Sequence, residues 1–509
     1  MSGNAALYFV DRHVRDGNGD RPAFREAAGQ KRAMTYGELA DATNHVAGAL
    51  GRAGIPREAR AAMLVLDQLE FPQIFWGCMK AGVVPVPLNT LLTTQVYDVI
   101  LNDSRASCLF VSEELWPVVQ PAAEASPHLS HIVVIGTAPE GRQSFADFVS
   151  GATPMPAVAA SEDDVAFWLY SSGSTGQPKG VRHVHGSLKA TADAYGARVL
   201  QIEPDDVVFS AAKLFFAYGL GNAMTFPMSV GAETVLFNGR PTPDTMAEII
   251  AAEKPTIFCG VPTLYAAMVA QLESRGVPDV KLRRCISAGE ALPEEIGRGW
   301  RRLWGVDILD GVGSTEMLHI FLSNAPGDVA YGTSGRPVPG YEVRLVDEDG
   351  KDVGAGGLGE LLVRGASAAD GYWNKRDKSR ATFEGEWTRT GDKYELAADG
   401  RYVYCGRTDD MFKVSGIWVS PFEVEQALVS HPAVLEAAVV AARDQDGLEK
   451  PKAYIVLKQA KADGLADELR EFVKDKVGKW KYPRWIDFVE DLPKTATGKI
   501  QRFKLREEP

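Results

Sequence analysis

The chain contains no uninterrupted apolar run long enough to span a membrane. Its first fifteen residues lack the basic-then-apolar pattern of an export signal. Cysteine is scarce: Cys78, Cys108, Cys259, Cys285 and Cys405 are far apart, odd in number and form no C-x-x-C pair. That argues against a disulfide framework and for reduced, structural thiols in a cytoplasmic protein. No His, Cys and carboxylate spacing suggests a metal cluster. His183 and His185 alternate, but with no partners nearby they read as ordinary loop histidines. Basic charge is also short, 55 Lys and Arg against 67 Asp and Glu, for a net charge of −12. Such an acidic surface disfavours nonspecific nucleic-acid binding. Internal repeats and low-complexity tracts are absent. A length of 509 residues exceeds what one hydrophobic core serves, so at least two domains are expected.

Against these absences one stretch stands out, Tyr170-Ser171-Ser172-Gly173-Ser174-Thr175-Gly176-Gln177-Pro178-Lys179-Gly180. The apolar, aromatic run over 165–170 reads as a buried strand, so the loop leaves a strand end, where α/β folds place ligands. Its glycines let amide N–H groups converge on an anion. Ser171, Ser172, Ser174 and Thr175 add hydroxyls, and Lys179 adds a positive charge. It is not a Walker A loop, because Gly180 stands where that motif needs Ser or Thr after the lysine.

Around the loop, helix and strand patterns alternate. Thr35 and Glu38 form a capping box ahead of Leu39, Ala42, Val46, Ala47 and Leu50 at helical spacing. Strands are expected over 61–66, 82–88, 107–111 and 131–136, with a helix over 71–81. Beyond the loop, strands are expected over 206–211, 231–237, 256–259, 283–287 and 306–309, with a helix over 242–253. This is the pattern of largely parallel, helix-covered sheets. From Gly332 short strands and glycine turns suggest an antiparallel β subdomain, with strands over 341–346, 359–364, 385–390 and 400–404. Past Arg407 a small α+β domain of roughly 100 residues is expected, with helices over 422–429 and 466–477 and strands over 434–441 and 452–457. The expected division is 1–407 for the large domain, a charged, exposed joint at Thr408-Asp409-Asp410, and 411–509 for the small one.

Five motifs, in order, carry a resemblance. They are the loop at 170–180, Gly313-Ser314-Thr315-Glu316, Thr390-Gly391-Asp392, Gly406-Arg407-Thr408-Asp409-Asp410 and Pro493-Lys494-Thr495-Ala496-Thr497-Gly498-Lys499. Together they resemble the adenylate-forming enzymes: acyl-CoA synthetases, luciferases and peptide-synthetase adenylation domains. Lys213-Leu214-Phe215-Phe216-Ala217-Tyr218-Gly219-Leu220-Gly221 and the run from Gly313 to Phe321 are similar to the benzoate-CoA and hydroxybenzoate-CoA ligase branch.

The resemblance implies an ATP-dependent ligase. It joins an aromatic carboxylate to coenzyme A through an aryl-adenylate, with Mg²⁺, and rotates its small C-terminal domain between the two steps. It implies that the loop, including Gly173 and Gly176, holds the β- and γ-phosphates. Thr315 would contact the α-phosphate and Glu316 would hold the metal. Gly289-Glu290-Ala291 and Asp310-Gly311-Val312, with Gly313 and Ser314, would flank the nucleotide, and Asp392 and Arg407 would meet the ribose. Asp392 is expected in a glycine turn between β segments. Phe215, Phe216, Ala217, Tyr218, Gly219, Gly313, His319 and Ile320 are the aryl-pocket candidates. His319 would lie near the ring or its carboxylate, or else be a packed core histidine.

The 213–221 stretch has no acid, which disfavours an amino-acid substrate whose buried ammonium would lack a partner. Lys499 would be the catalytic lysine, and Asp409 the pivot. Gly416 and Trp418 would line the pantetheine tunnel, and Trp480, Lys481 and Arg484 would meet the CoA nucleotide. Relatives are switched off by acetylation of this lysine, implying an acetyltransferase and a deacylase as partners. A monomer or homodimer is expected. Another ring-substituted or short carboxylic acid, or a non-catalytic adenylate binder, stay open as alternatives.

Overall fold

The computed structural model describes residues 3–172, 177–414, 417–445, 448–460, 463–478, 480–494 and 500–506. Two sheets carry the expected alternation. In the smaller one, Val84–Pro87, Arg60–Leu64, Cys108–Ser112, His131–Ile135 and Gln143–Ser144 run parallel in that order. In the larger, nine-stranded sheet the parallel centre runs Glu233–Leu236, Val207–Ser210, Ile257–Gly260, Arg284–Ser287, Ile308–Gly313. Antiparallel strands close both of its edges. Both sheets are buried on two faces, which is why their strands read as continuous apolar runs. Ala61 and Met63 enter one hydrophobic core while Ala62 and Leu64 enter another. Thr35 caps the helix Tyr36–Arg52 as expected, its side chain accepting from Glu38 N while the Glu38 carboxylate accepts from Thr35 N.

The strand Val165–Ser172 belongs to neither parallel sheet. It pairs antiparallel with Pro178–Val184, so the glycine-rich loop joins two strands of a hairpin rather than leaving a parallel strand for a helix. Phe167 and Leu169 of this hairpin face the core shared with the nine-stranded sheet, and Trp168 faces the core of the five-stranded one. The hairpin is thus wedged between the two α/β halves. Two other expectations shift. The strand expected over 306–309 runs on through Asp310-Gly311-Val312-Gly313, as Ile308–Gly313, held by the antiparallel strand Ile320–Ser323. Asp392 is not in a turn: it lies within the long strand Trp387–Leu396, opposite Arg407 of Tyr402–Arg407. Gly391, at φ 71°, makes that strand irregular without ending it.

The C-terminal part is a separate small α+β domain. Val434–Arg443 and Glu449–Leu457 pair antiparallel, and Trp485–Phe488, which the sequence reading missed, adds in parallel. Helices Pro421–Val429 and Leu465–Val477 cover one face over a hydrophobic cluster of their own. Within the joint Asp409 is exposed as expected, and Asp410 is less so. Asp410 is mostly buried, bonded to Arg506 and 3.5 Å from Arg502. Among the described residues no helix is long and apolar enough to cross a membrane.

Candidate active site

Three elements meet around one carboxylate oxygen. Lys179, on the second hairpin strand, places Nζ 3.4 Å from Glu316 Oε1. Tyr372, on the short strand Gly371–Tyr372 beside it, donates its hydroxyl to the same oxygen at 2.7 Å. Lys179 Nζ is also 3.3 Å from the Tyr372 hydroxyl and 4.5 Å from its ring centroid. Burial alone would raise the Glu316 pKa, but the Lys179 ammonium and the Tyr372 hydrogen bond outweigh it and hold the carboxyl below its ordinary range. Burial pulls the Lys179 ammonium down against the pull of Glu316, and the positive charges of Lys378 and Arg407 add to the lowering.

The turn carrying Thr315 and Glu316 is fixed from both sides. The His183 ring meets Thr315 O at 2.8 Å, Ser367 Oγ donates to Met317 O at 2.7 Å, and Ala369 N donates to Glu316 O at 2.8 Å. Leu318 closes the turn at φ 66°, a conformation costly for a bulky side chain and tolerated where the surroundings enforce it. His183 and His185 are therefore not loop histidines. Both are buried, His185 accepting from Ala5 N, and burial pushes each pKa down to about 4. Sequence alternation carried a signal for His183: it stands four residues after Lys179 on the same strand face. Tyr372 had none, because its strand is two residues long.

Along the nucleotide candidates, Asp310 is buried, accepts from Leu292 N at 3.3 Å, and is pushed up to about 8 by burial. Gly289, at φ 100°, sits on an exposed turn with open space beside it. Glu290 and Ala291 follow it, half-buried, and Val312 packs against the main core. Ser314 Oγ accepts from Met317 N at 3.1 Å. Ser171 is half-buried on the first hairpin strand, and its Oγ has no partner among the described residues. Arg407 Nη1 donates to Asp392 Oδ1 at 3.0 Å and to Thr390 O at 2.8 Å.

The aryl candidates also assemble. The short helix Ala217–Leu220 follows Phe216, and the Tyr218 hydroxyl donates to Gly260 O and Ile286 O, both at 3.1 Å. The His319 ring lies among Phe226, Tyr195 and Tyr218 at centroid distances of 4.5, 5.1 and 5.7 Å. Burial pushes its pKa down to about 3, so the ring is neutral at working pH. A Cβ on Gly221 would come within 2.4 Å of that ring. Gly313 pairs with Ile320 across the strands, and a Cβ there would meet His319 O at 2.4 Å. Gly219 is equally confined, 2.0 Å from Lys213 O by the same measure. Phe215 is turned into the interior, its ring 4.3 Å from that of Phe216.

The CoA candidates are not drawn together in the same way. Trp480 is exposed, Lys481 is bound to Glu423 at 2.6 Å, and the Arg484 guanidinium covers the Tyr482 ring at 3.7 Å. The backbone of Trp418 pairs with Lys413 in a hairpin. Gly173, Ser174, Thr175, Gly176, Gly416 and Lys499 lie outside the described residues.

A buried carboxylate held by a lysine and a phenol, beside the hairpin that carries the Ser/Gly-rich sequence, suits an enzyme that activates acids with a nucleotide. The chain belongs to the AMP-binding, adenylate-forming enzyme family: the AMP-binding enzyme model matches residues 10–373 and the AMP-binding enzyme C-terminal domain model matches 423–499. It is 54% identical to a 4-hydroxybenzoate-CoA/benzoate-CoA ligase of Rhodopseudomonas palustris, over 99% of this chain and 94% of that one. It is 53% identical to a benzoate-CoA ligase of Thauera aromatica, over 99% and 95%. Among solved structures, a benzoate CoA ligase from Burkholderia xenovorans aligns at 48% identity and TM-score 0.91, covering all of both chains. An anthranilate CoA ligase in complex with anthranoyl-AMP aligns at 43% and 0.93, over 99% of this chain and 96% of that one.

Proposed function

We propose that this chain is an ATP-dependent aryl-CoA ligase that converts benzoate or a hydroxybenzoate to its CoA thioester through an aryl-adenylate. The observation that carries the reading is that two unlike environments meet where one strand ends and its turn begins. Gly313 ends the strand beside His319 in an aromatic slot, and Glu316, three residues on, enters the charged centre with Lys179. The candidate residues Phe216, Ala217, Tyr218, Gly313, His319 and Ile320 offer no carboxylate to an ammonium. A flat, uncharged ring suits the slot, with its carboxylate toward the charged end.

In the first step an oxygen of the aryl carboxylate attacks the α-phosphorus, and the bond to the bridging oxygen of pyrophosphate breaks. Both partners are anionic, so the protein contributes positioning and charge neutralisation. Lys179, the hairpin loop and Thr315 would hold the phosphates, and Asp392 and Arg407 the ribose. The residues present fit Mg²⁺: Glu316 is a hard oxygen donor, and Mg²⁺ is commonly held by one or two carboxylates together with substrate phosphates. When bound, the metal would neutralise charge on the leaving pyrophosphate. Lys499 would bridge the attacking carboxylate and the α-phosphate.

In the second step the CoA sulfur attacks the acyl carbon, AMP leaves, and the thiol proton passes to solvent. We place the pivot between the steps at Asp409, the hinge at 408–410 and the moving domain at 411–509. Acetylation of Lys499 would remove its charge and stop the first step. Incubation with ATP, Mg²⁺, CoA and a panel of benzoates tests the reading: aryl-CoA, AMP and pyrophosphate should form in equal amounts. Binding of ATP with no turnover of any aryl acid would leave only an adenylate binder.

A further inference from the structure

We infer that Tyr372 is a positioning residue for the metal-binding carboxylate: its hydroxyl fixes Glu316 so that Lys179 can be released to the phosphates when MgATP enters. The inference rests on the reading that Glu316 holds Mg²⁺. Its ground is the convergence of two donors on one atom. Both the Lys179 ammonium and the Tyr372 hydroxyl reach Glu316 Oε1, at 3.4 and 2.7 Å. An ionised carboxylate only accepts hydrogen bonds, so a phenol is a suitable permanent partner for it. A lysine that must also meet phosphates is a temporary one. If Lys179 were the only group holding Glu316, its departure would leave a mostly buried carboxylate without direction.

The surroundings of Tyr372 favour a fixed support. Its backbone N accepts no freedom from the loop, since it donates to Ser379 Oγ at 3.0 Å. Trp373 N donates to Gly180 O at 2.8 Å and Ala369 N to Glu316 O at 2.8 Å, so the segment is stitched both to the Lys179 strand and to the backbone of the carboxylate it serves. The ring packs on Phe383 at 5.3 Å. Partners of metal-binding carboxylates set metal affinity through orientation, and their loss typically weakens it about 10- to 100-fold.

The test is ATP binding by calorimetry to the full-length protein, titrated across Mg²⁺ concentrations and repeated in EDTA, for wild type, Tyr372→Phe and Glu316→Gln. Phenylalanine keeps the ring beneath Lys179 and the packing on Phe383. Tyr372→Phe should raise the Mg²⁺ concentration for half-maximal ATP binding about tenfold, with affinity in EDTA changed less than about twofold. An unchanged Mg²⁺ requirement overturns the inference, as does an equal loss with and without Mg²⁺, which would make Tyr372 a partner of Lys179 alone. If Tyr372→Phe has no effect but Glu316→Gln shifts the Mg²⁺ requirement, the metal reading stands and the positioning role falls. If Glu316→Gln also leaves it unchanged, both fall.

Discussion

The charged centre of the large domain and the face of the small domain are built in opposite ways. Around Glu316 the groups are mostly buried, come from three strands or turns, and are cross-braced by His183, Ser367 and Ala369. Asp410 of the joint is tied within the small domain to Arg506 and Arg502, and the contacts from that domain to the large one include a surface ion pair from Lys413 to Glu348, a hydrogen bond from Ser420 to Cys405 O, and the edge of Phe422 on Tyr404. Exposed ion pairs typically contribute about 0–1 kcal/mol, whereas breaking one side of a buried charged pair typically costs about 3–5 kcal/mol. The comparison teaches a division of labour. The centre is braced by buried polar ties, whereas the contacts between the domains are few and partly exposed, as the rotation proposed about Asp409 requires.

The largest expected effect probes the C-terminal domain, which is proposed to rotate. Lys499→Ala should slow aryl-adenylate formation by at least about 10²–10³, yet leave the conversion of supplied benzoyl-AMP and CoA near wild type. Equal losses in both half-reactions, measured separately, would break the division. Next comes the aromatic slot. Ala217→Phe overfills it, and at about 1–3 kcal/mol of overpacking should raise KM for benzoate roughly 10- to 100-fold while KM for ATP stays put. A matched rise in both constants would remove Ala217 from the slot.

Gly221→Ala forces a methyl into the His319 ring and should cost about 1–3 kcal/mol of stability, read as a fall in the urea midpoint. An unchanged midpoint would mean the histidine is free to move. Asp310 sharpens the comparison through pH. Its folded pKa, about 8, lies above the unfolded value, so its stabilising contribution is present in acid and is lost as pH rises through the folded value. Asp310→Asn should therefore gain stability relative to wild type between pH 5 and pH 8, and a constant difference would show that burial does not control this carboxyl. The smallest effect belongs to exposed Trp480. Trp480→Ala should raise KM for CoA about two- to fivefold without moving the melting temperature, and no change would take Trp480 out of CoA binding.

Much of this was legible in the chain. Each expected parallel strand of the large domain starts within two residues of its expected position because two-sided burial writes itself as apolar runs, whereas the parallel strands Pro22–Glu26 and Gln143–Ser144 carried no such run; Thr35 and Glu38 marked a helix start by local chemistry alone. The ordered motifs pointed to the Lys179–Glu316 centre. What was hidden depends on long-range pairing. The placement of Asp392 inside a strand opposite Arg407 and the partnership of Tyr372 with Glu316 join residues distant in sequence, and no local pattern encodes them; the hairpin is local, but its first strand reads as the same apolar run a parallel strand would give. His319 was undecided between pocket and core. The structure packs it as a buried histidine in an aromatic cage beside Gly221 and Gly313.

The central claim is that a carboxylate oxygen becomes bonded to the α-phosphorus of ATP before the thioester forms. Benzoate labelled with ¹⁸O at both carboxylate oxygens tests it most directly, with AMP, pyrophosphate and benzoyl-CoA analysed by mass spectrometry after turnover. One labelled oxygen is expected in AMP, one in benzoyl-CoA and none in pyrophosphate. Unlabelled AMP, or label in a phosphate released from the γ position, would contradict it.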